Sequence, residues 1–184
     1  MGFNYKKYSE IVEKINSLAD VLGEANENNY MCIGSVIEWL TRKDSIIWGT
    51  GAITGGNRKI KEIPYKVCAV RGPLTRQFLL SQNISCPEVY GDPALLLPLL
   101  YHRTKQKKYK IGLIPHYVDL KCPKVKEFYK NNRDVCLINF TNYRKWTDVI
   151  DKILECEIIV SSSLHGLIIS DAYGIPNVWC KFSD

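Results

Sequence analysis

Apolar residues recur along this chain in two rhythms. Ile11, Val12, Ile15, Leu18 and Leu22 fall at helical spacing and predict a helix over 8–22. Residues 24–29 are polar and read as a loop. From there on, short apolar runs dominate: 29–33, 44–48, 66–70, 87–90, 109–114, 134–139, 157–160 and 177–180. Many are rich in β-branched residues and predict buried strands. The segments between several of these runs carry helical spacing instead, and predict helices ending at Leu40 and over 73–81, 121–131, 146–156 and 164–173. Strands alternating with helices predict an α/β protein with parallel sheets. The basic stretch RTKQKKYK (103–110) interrupts the series and reads as solvated, which makes 104–109 a linker between halves at 1–103 and 110–184. The apolar run 94–100 before it reads as packing.

Where the rhythm breaks, the residues that can do chemistry collect. The stretch EIIVSSSLHGLIISDAYGIPNVW (157–179) reads as strand, polar crossing, helix and strand. Leu164, Ile168 and Ala172 give the helix its apolar spacing, Gly174 ends it and Pro176 prevents its continuation. The crossing lies at the carboxyl end of a strand, where open α/β sheets bind ligands. His165 and Gly166 fall in the first helical turn, whose free N–H groups favour an anion. An imidazole there can hold a phosphate or carboxylate and move a proton. Gly166 inside that turn implies close approach of backbone or ligand. Arg71 stands at another strand end, ahead of Gly72, Pro73 and a helix start. His116, Asp92 and Asp119 follow strands too. The loop GTGAITGGN, with Gly49, Thr50, Gly51, Gly55 and Gly56, is able to cradle phosphate through its amides, although it matches neither GxGxxG nor a Walker loop. Each has a plainer alternative: a mobile loop for the glycines, a helix partner for Arg71, a turn for Asp92, a satisfied interior group for His116 and a surface position for His165.

Composition narrows the class. The 184 residues are 46% hydrophobic and carry a formal net charge of +6, which suits an anionic ligand but is too small to indicate nucleic acid. Seven cysteines, an odd number without a CxxC, predict reduced thiols in a cytoplasmic protein. Neither they nor the three histidines show zinc spacing, so no metal is expected. Residues 1–9 lack the apolar core of a secretory leader, and no run of about 18 apolar residues is available to span a membrane.

Five motifs then occur in one order: WGTGAI (48–53), VRGPLTRQFL (70–79), YGDPALLLP (90–98), IPHY (114–117) and SLHGLIISDAYGIPNVW (163–179). Together they resemble the polysaccharide pyruvyl transferase family, in particular its exopolysaccharide ketal-forming members, from about Ile33 onward. The resemblance implies two Rossmann-like halves similar to the B-type glycosyltransferase fold, with the active site in the cleft between them. It implies phosphoenolpyruvate as donor, no further cofactor, and a hexose of a lipid-linked or growing saccharide as acceptor. The product would be a cyclic pyruvate ketal, commonly across O4 and O6. It places a cytoplasmic enzyme of exopolysaccharide biosynthesis at the inner face of the membrane, associated peripherally.

In the family the His of the LHG motif contacts the donor, which is His165 here. Some members carry Arg just before LHG where this chain has Ser163, so Arg71 is expected to supply the missing cation. The expected catalytic set is His165, His116 and Asp92. The expected donor-binding set is Arg71, Ser162, Ser163, His165, Gly166, Gly49, Thr50 and Gly51. The family's opening strand and Asn-x-Gly-Asp turn do not stand in MGFNYKKYSE, and members usually continue beyond Asp184, so the chain reads as trimmed at both ends. Bare strand edges would then favour self-association and leave little ketal-forming activity. Two alternatives stay open: a nucleotide-sugar glycosyltransferase of the same fold, and a truncated non-catalytic copy that binds a saccharide.

Overall fold

Parallel strand pairing organises both halves of the chain. The computed structural model describes residues 28–53 and 58–182, so the helix expected over 8–22 and Gly55 and Gly56 lie outside the described residues. Contacts divide the chain into two compact units between Val89 and Tyr90.

The first unit holds β1 (Asn29–Met31), α1 (Ile37–Leu40), β2 (Ser45–Trp48), β3 (Lys66–Ala69) and α2 (Pro73–Leu80). The strands pair in parallel in the order β1-β2-β3. Met31, Ile37, Ile47, Val70, Phe78 and Leu79 form the core, because the buried residues of the strands and of both helices converge there. Pro73 opens α2 with its φ already helical and no donor to leave unsatisfied. Past the end of α2, Asn83 takes a left-handed φ of 59°, which Asn tolerates better than most residues. The strand expected over 87–90 does not form a ladder. Val70 N donates to Val89 O at 3.1 Å, and Pro87 lacks the N–H that a longer ladder needs.

The second unit contains a 3-10 turn (Pro93–Leu96), α3 (Leu97–Leu100), β4 (Tyr109–Ile114), a second 3-10 turn (Asp119–Lys121), α4 (Pro123–Asn131), β5 (Val135–Leu137), α5 (Trp146–Leu154), β6 (Cys156–Ser161), α6 (Leu164–Ala172) and β7 (Asn177–Trp179). Its four strands are all parallel, in the order β5-β4-β6-β7. Neighbouring residues of β4 feed opposite faces. Leu113 packs with Val125 of α4 and Val135, whereas Ile114 packs with Ile150 and Ile153 of α5 and with Ile159. Ile169 and Tyr173 bring α6 to the Ile114 face. Helices on opposite faces are what right-handed crossovers give when the chain leaves β4 first for β5 and then returns past it to β6. That reversal makes β4 the switch point of the sheet, and the carboxyl ends of β5, β4 and β6 lie around it.

The basic stretch 103–110 is part of this unit. Lys107 Nζ donates to the carbonyls of Leu154 (3.1 Å) and Cys156 (2.6 Å). Lys108 pairs with Glu155 at 2.7 Å and Lys105 with Asp151 at 3.2 Å. Cations at the carboxyl end of α5 satisfy carbonyls that the helix cannot bond itself. The boundary thus falls some fifteen residues before the expected linker at 104–109. Among the described residues no helix is long and apolar enough to cross a membrane.

Candidate active site

The site is assembled from the ends of β4 and β6 and the start of α6. Ser161, fully buried, is the joint between strand and helix. Its Oγ accepts from Ser163 N at 3.0 Å and lies 3.0 Å from Ile114 O and 2.9 Å from Ser163 O, the acceptors for its proton. Gly166 explains how the helix comes so near. A Cβ at this position would collide with Ser161 Oγ and sit 3.0 Å from Ile114 Cγ2. The close approach expected at Gly166 is therefore made by its own strand, and its N–H donates to Ser163 O at 3.1 Å. Ser163 is the N-cap but its side chain makes no capping bond. Among the described residues, the amides of Leu164 and His165 find no protein acceptor, so the helix start presents two open donors.

His165 projects from this turn toward Asp92. Its Nε2 stands 3.3 Å from Asp92 Oδ2, and both atoms are shielded from solvent. The imidazole is 24% exposed and the carboxylate 3%, so the acid is the buried member. Asp92 is fixed from the other side: its Oδ1 accepts from Ala94 N at 2.9 Å and caps the 3-10 turn. The turn role expected of Asp92 and its contact with His165 are both real, each using a different oxygen. With Nε2 facing the carboxylate, Nδ1 is the ring nitrogen left for a ligand.

A second network ties β4 to β6. Ser162 Oγ donates to Asp119 Oδ2 and accepts from His116 N at 2.8 Å. Asp119 is 4% exposed. The Ser162 hydroxyl is thus engaged on both sides within the protein, as a staple between two strand ends. The His116 ring packs on Tyr117 with centroids 4.2 Å apart, in the loop next to this staple.

The first unit carries the other expected residues. Gly49 takes a φ of 100°, which lets the chain leave β2 sharply. Gly49 N donates to Ala69 O and Gly51 N to Gly34 O, at 3.0 and 2.9 Å. The fully buried Thr50 donates through Oγ1 to Gly34 O at 2.7 Å. These three residues knit β1, β2 and β3 together, and the amides expected to cradle phosphate at Gly49 and Gly51 already have protein acceptors. Gly51 has a further effect. A Cβ there would lie 2.5 Å from Arg71 Cζ and 2.8 Å from its Nε, so the guanidinium occupies space that only glycine leaves. Arg71 Nη2 donates to Ser35 Oγ at 2.8 Å and reaches Ala52 O at 3.4 Å.

The structure gathers Asp92, His116, Asp119, Ser162, Ser163, His165 and Gly166 in the second unit, and Gly49, Thr50, Gly51 and Arg71 in the first. The sequence reading missed Ser161 and Ser35. Ser161 was readable only as one of three interchangeable serines. Ser35 follows Gly34 at a strand end, the same signal that singled out Arg71. Among the described residues no cluster of His, Cys, Asp or Glu is arranged to hold a metal ion.

Known proteins can now be set beside this geometry. The family model for polysaccharide pyruvyl transferase matches residues 25–183. An uncharacterized protein of Acanthamoeba polyphaga mimivirus is 32% identical over 98% of this chain and 63% of its own length. The succinoglycan biosynthesis protein ExoV of Rhizobium meliloti is 29% identical over 61% of this chain and 34% of its own length. The chain therefore spans less than two thirds of either relative. No solved structure matches. With the family model covering the chain from before β1 to beyond β7, both sheets and the Asp92–His165 pair included, the chain belongs to the polysaccharide pyruvyl transferase family.

Proposed function

We propose that this chain carries the catalytic apparatus of a pyruvyl transferase. It would move pyruvate from phosphoenolpyruvate onto two hydroxyls of a hexose in a cell-surface saccharide, forming a cyclic ketal. The observation that carries the reading is the Asp92–His165 pair beside two open amides at the start of α6. Phosphoenolpyruvate bears a phosphate and a carboxylate, and a helix N-terminus with a cationic or neutral imidazole suits either.

The chemistry needs a proton placed on the methylene carbon of the donor, which leaves an oxocarbenium-like centre at its neighbour. One sugar hydroxyl adds there and gives up its proton. The C–O bond to phosphate then breaks, the second hydroxyl closes the ring, and inorganic phosphate leaves. Protons are thus both delivered and taken up. In this reading His165 does one of these through Nδ1, with the Asp92 carboxylate beside Nε2, and about 10²–10⁴ in rate is at stake. Arg71, the cation expected to act in place of one at Ser163, has its guanidinium held by Ser35 over Gly51 within the first unit. In this reading the two units correspond to the halves of a B-type glycosyltransferase-like fold, and His116 and Asp119 border the site.

The test is to incubate the protein with phosphoenolpyruvate and a hexose oligosaccharide. The readouts are inorganic phosphate release and an acceptor mass increased by one pyruvate less one water. His165→Ala should lower turnover about 10²–10⁴-fold with its thermal melt unchanged. Transfer from a nucleotide sugar instead of phosphoenolpyruvate would replace this reading by glycosyl transfer. Saccharide binding without any phosphate release would make the chain a binding copy.

A further inference from the structure

The carboxyl end of β5 opens on a cavity of about 460 Å3, apart from the residues assigned above. It is within the range of small-molecule sites. Ile138 and Val149, both buried, contribute an apolar lining. Tyr143 lines it as well, 52% exposed.

The polar lining is unequal in what it can offer. Its two carboxylates are already engaged. Asp148 Oδ2 accepts from Arg144 N at 3.1 Å and Lys145 N at 3.0 Å, and Asp151 accepts from Tyr101 Oη at 2.9 Å and pairs with Lys105 at 3.2 Å. Asn139 Oδ1 accepts from both the N–H and the hydroxyl of Thr141, at 2.8 Å each, which leaves its amide nitrogen to donate. By contrast, the Arg144 guanidinium and the Lys152 ammonium make no ion pair among the described residues, yet both line the cavity. Asn142 and Tyr143 can donate or accept, and the two charged groups without an ion pair are both cationic donors. A ligand that fits must be rich in acceptors and anionic. Arg is suited to grip a phosphate by two parallel bonds, and a half-exposed tyrosine offers a face to a sugar ring.

We propose that this cavity binds the phosphate-bearing end of a sugar phosphate or sugar diphosphate, with Arg144 and Lys152 on the phosphate and Tyr143 beside the sugar. Naming that ligand as the acceptor rests on the transferase reading above. β5 and β6 flank β4, so this cavity and His165 belong to the same carboxyl edge of one sheet.

Calorimetric titration of glucose 1-phosphate, methyl glucoside and inorganic phosphate into the full chain tests the assignment, beside a variant carrying Arg144→Ala and Lys152→Ala. Both side chains are on exposed residues, and circular dichroism checks that the variant is folded. Glucose 1-phosphate should bind, methyl glucoside should not, and the variant should lose about 10–100-fold in affinity. Equal binding of methyl glucoside, or unchanged affinity in the variant, would overturn the proposal. Inorganic phosphate binding as tightly as glucose 1-phosphate would remove the sugar from it. Phosphoenolpyruvate titrated into the same two proteins separates the two readings. Its affinity should be equal in both. If it binds neither, while glucose 1-phosphate binding still depends on the two cations, the transferase reading fails and the cavity stands.

Discussion

At the scale of single residues, two contacts make firm demands. Asp92 has one oxygen in a turn cap and the other against His165. Asp92→Asn keeps an oxygen for Ala94 N but removes the charge that favours a proton on Nε2. Nitrogen-15 NMR should show the His165 ring shifting toward the Nδ1–H tautomer, and turnover should fall by no more than the roughly 10²–10⁴-fold expected of His165→Ala. An unchanged tautomer with unchanged turnover would reduce Asp92 to a turn residue. Gly51 makes the second demand. Its position lacks room for a methyl because Arg71 lies over it. Gly51→Ala should displace the guanidinium from Ser35 and raise the KM for phosphoenolpyruvate, with a kcat loss no larger than that of Arg71→Ala. A normal KM in Gly51→Ala, with Arg71→Ala strongly impaired, would show that the exact seat of the guanidinium does not matter.

At the scale of elements, the starts of α5 and α6 differ in charge: α5 begins beside a carboxylate of its own chain and α6 does not. Asp148 takes the N–H groups of Arg144 and Lys145, so α5 starts with a carboxylate of its own chain. Those backbone hydrogen bonds, that of Lys145 foremost, hold the Asp148 carboxyl below its ordinary range. A folded-state pKa below the unfolded one stabilises the folded chain above the unfolded pKa of about 3.9, and that contribution is lost as pH falls through the folded value. Comparing melts of the parent and Asp148→Asn from neutral pH down to about pH 2 should therefore show a gap that closes on acidification. A gap that persists at the acid end would mean the carboxylate charge is not what matters. In α6 the N-cap side chain makes no such bond, and Gly166 presses the helix onto Ser161 instead. The amides left open there are consistent with a site that waits for a ligand's charge.

At the scale of the whole molecule, each unit builds a core around its own parallel sheet, but apolar surface is left over. Leu99 and Leu100 of α3 are 82% and 79% exposed, and Leu95 and Leu96 just before them are 47% and 42% exposed. Contiguous exposed apolar residues favour association. The 184-residue chain should self-associate with rising concentration, and Leu99→Lys with Leu100→Lys should suppress this in light scattering without lowering the melt. A chain that scatters as a monomer at all concentrations would show that the patch is tolerated.

The sequence alone determined the alternation of strands and helices, because a buried parallel strand needs a continuous apolar run and its crossover helix a spaced one. It also singled out His165, Arg71 and Asp92 as candidates, since polar groups at the carboxyl ends of buried strands stand where the pattern breaks. It could not decide which loop amides were open. Those at Gly49 and Gly51 are taken by Ala69 and Gly34, residues 20 and 17 positions away, whereas those at Leu164 and His165 are not. Nor could it place the boundary between the units, because the clamp of Lys105, Lys107 and Lys108 onto α5 joins groups more than 40 residues apart. Pairings over such distances depend on the order of strands in a sheet, and only the packed chain fixes that order.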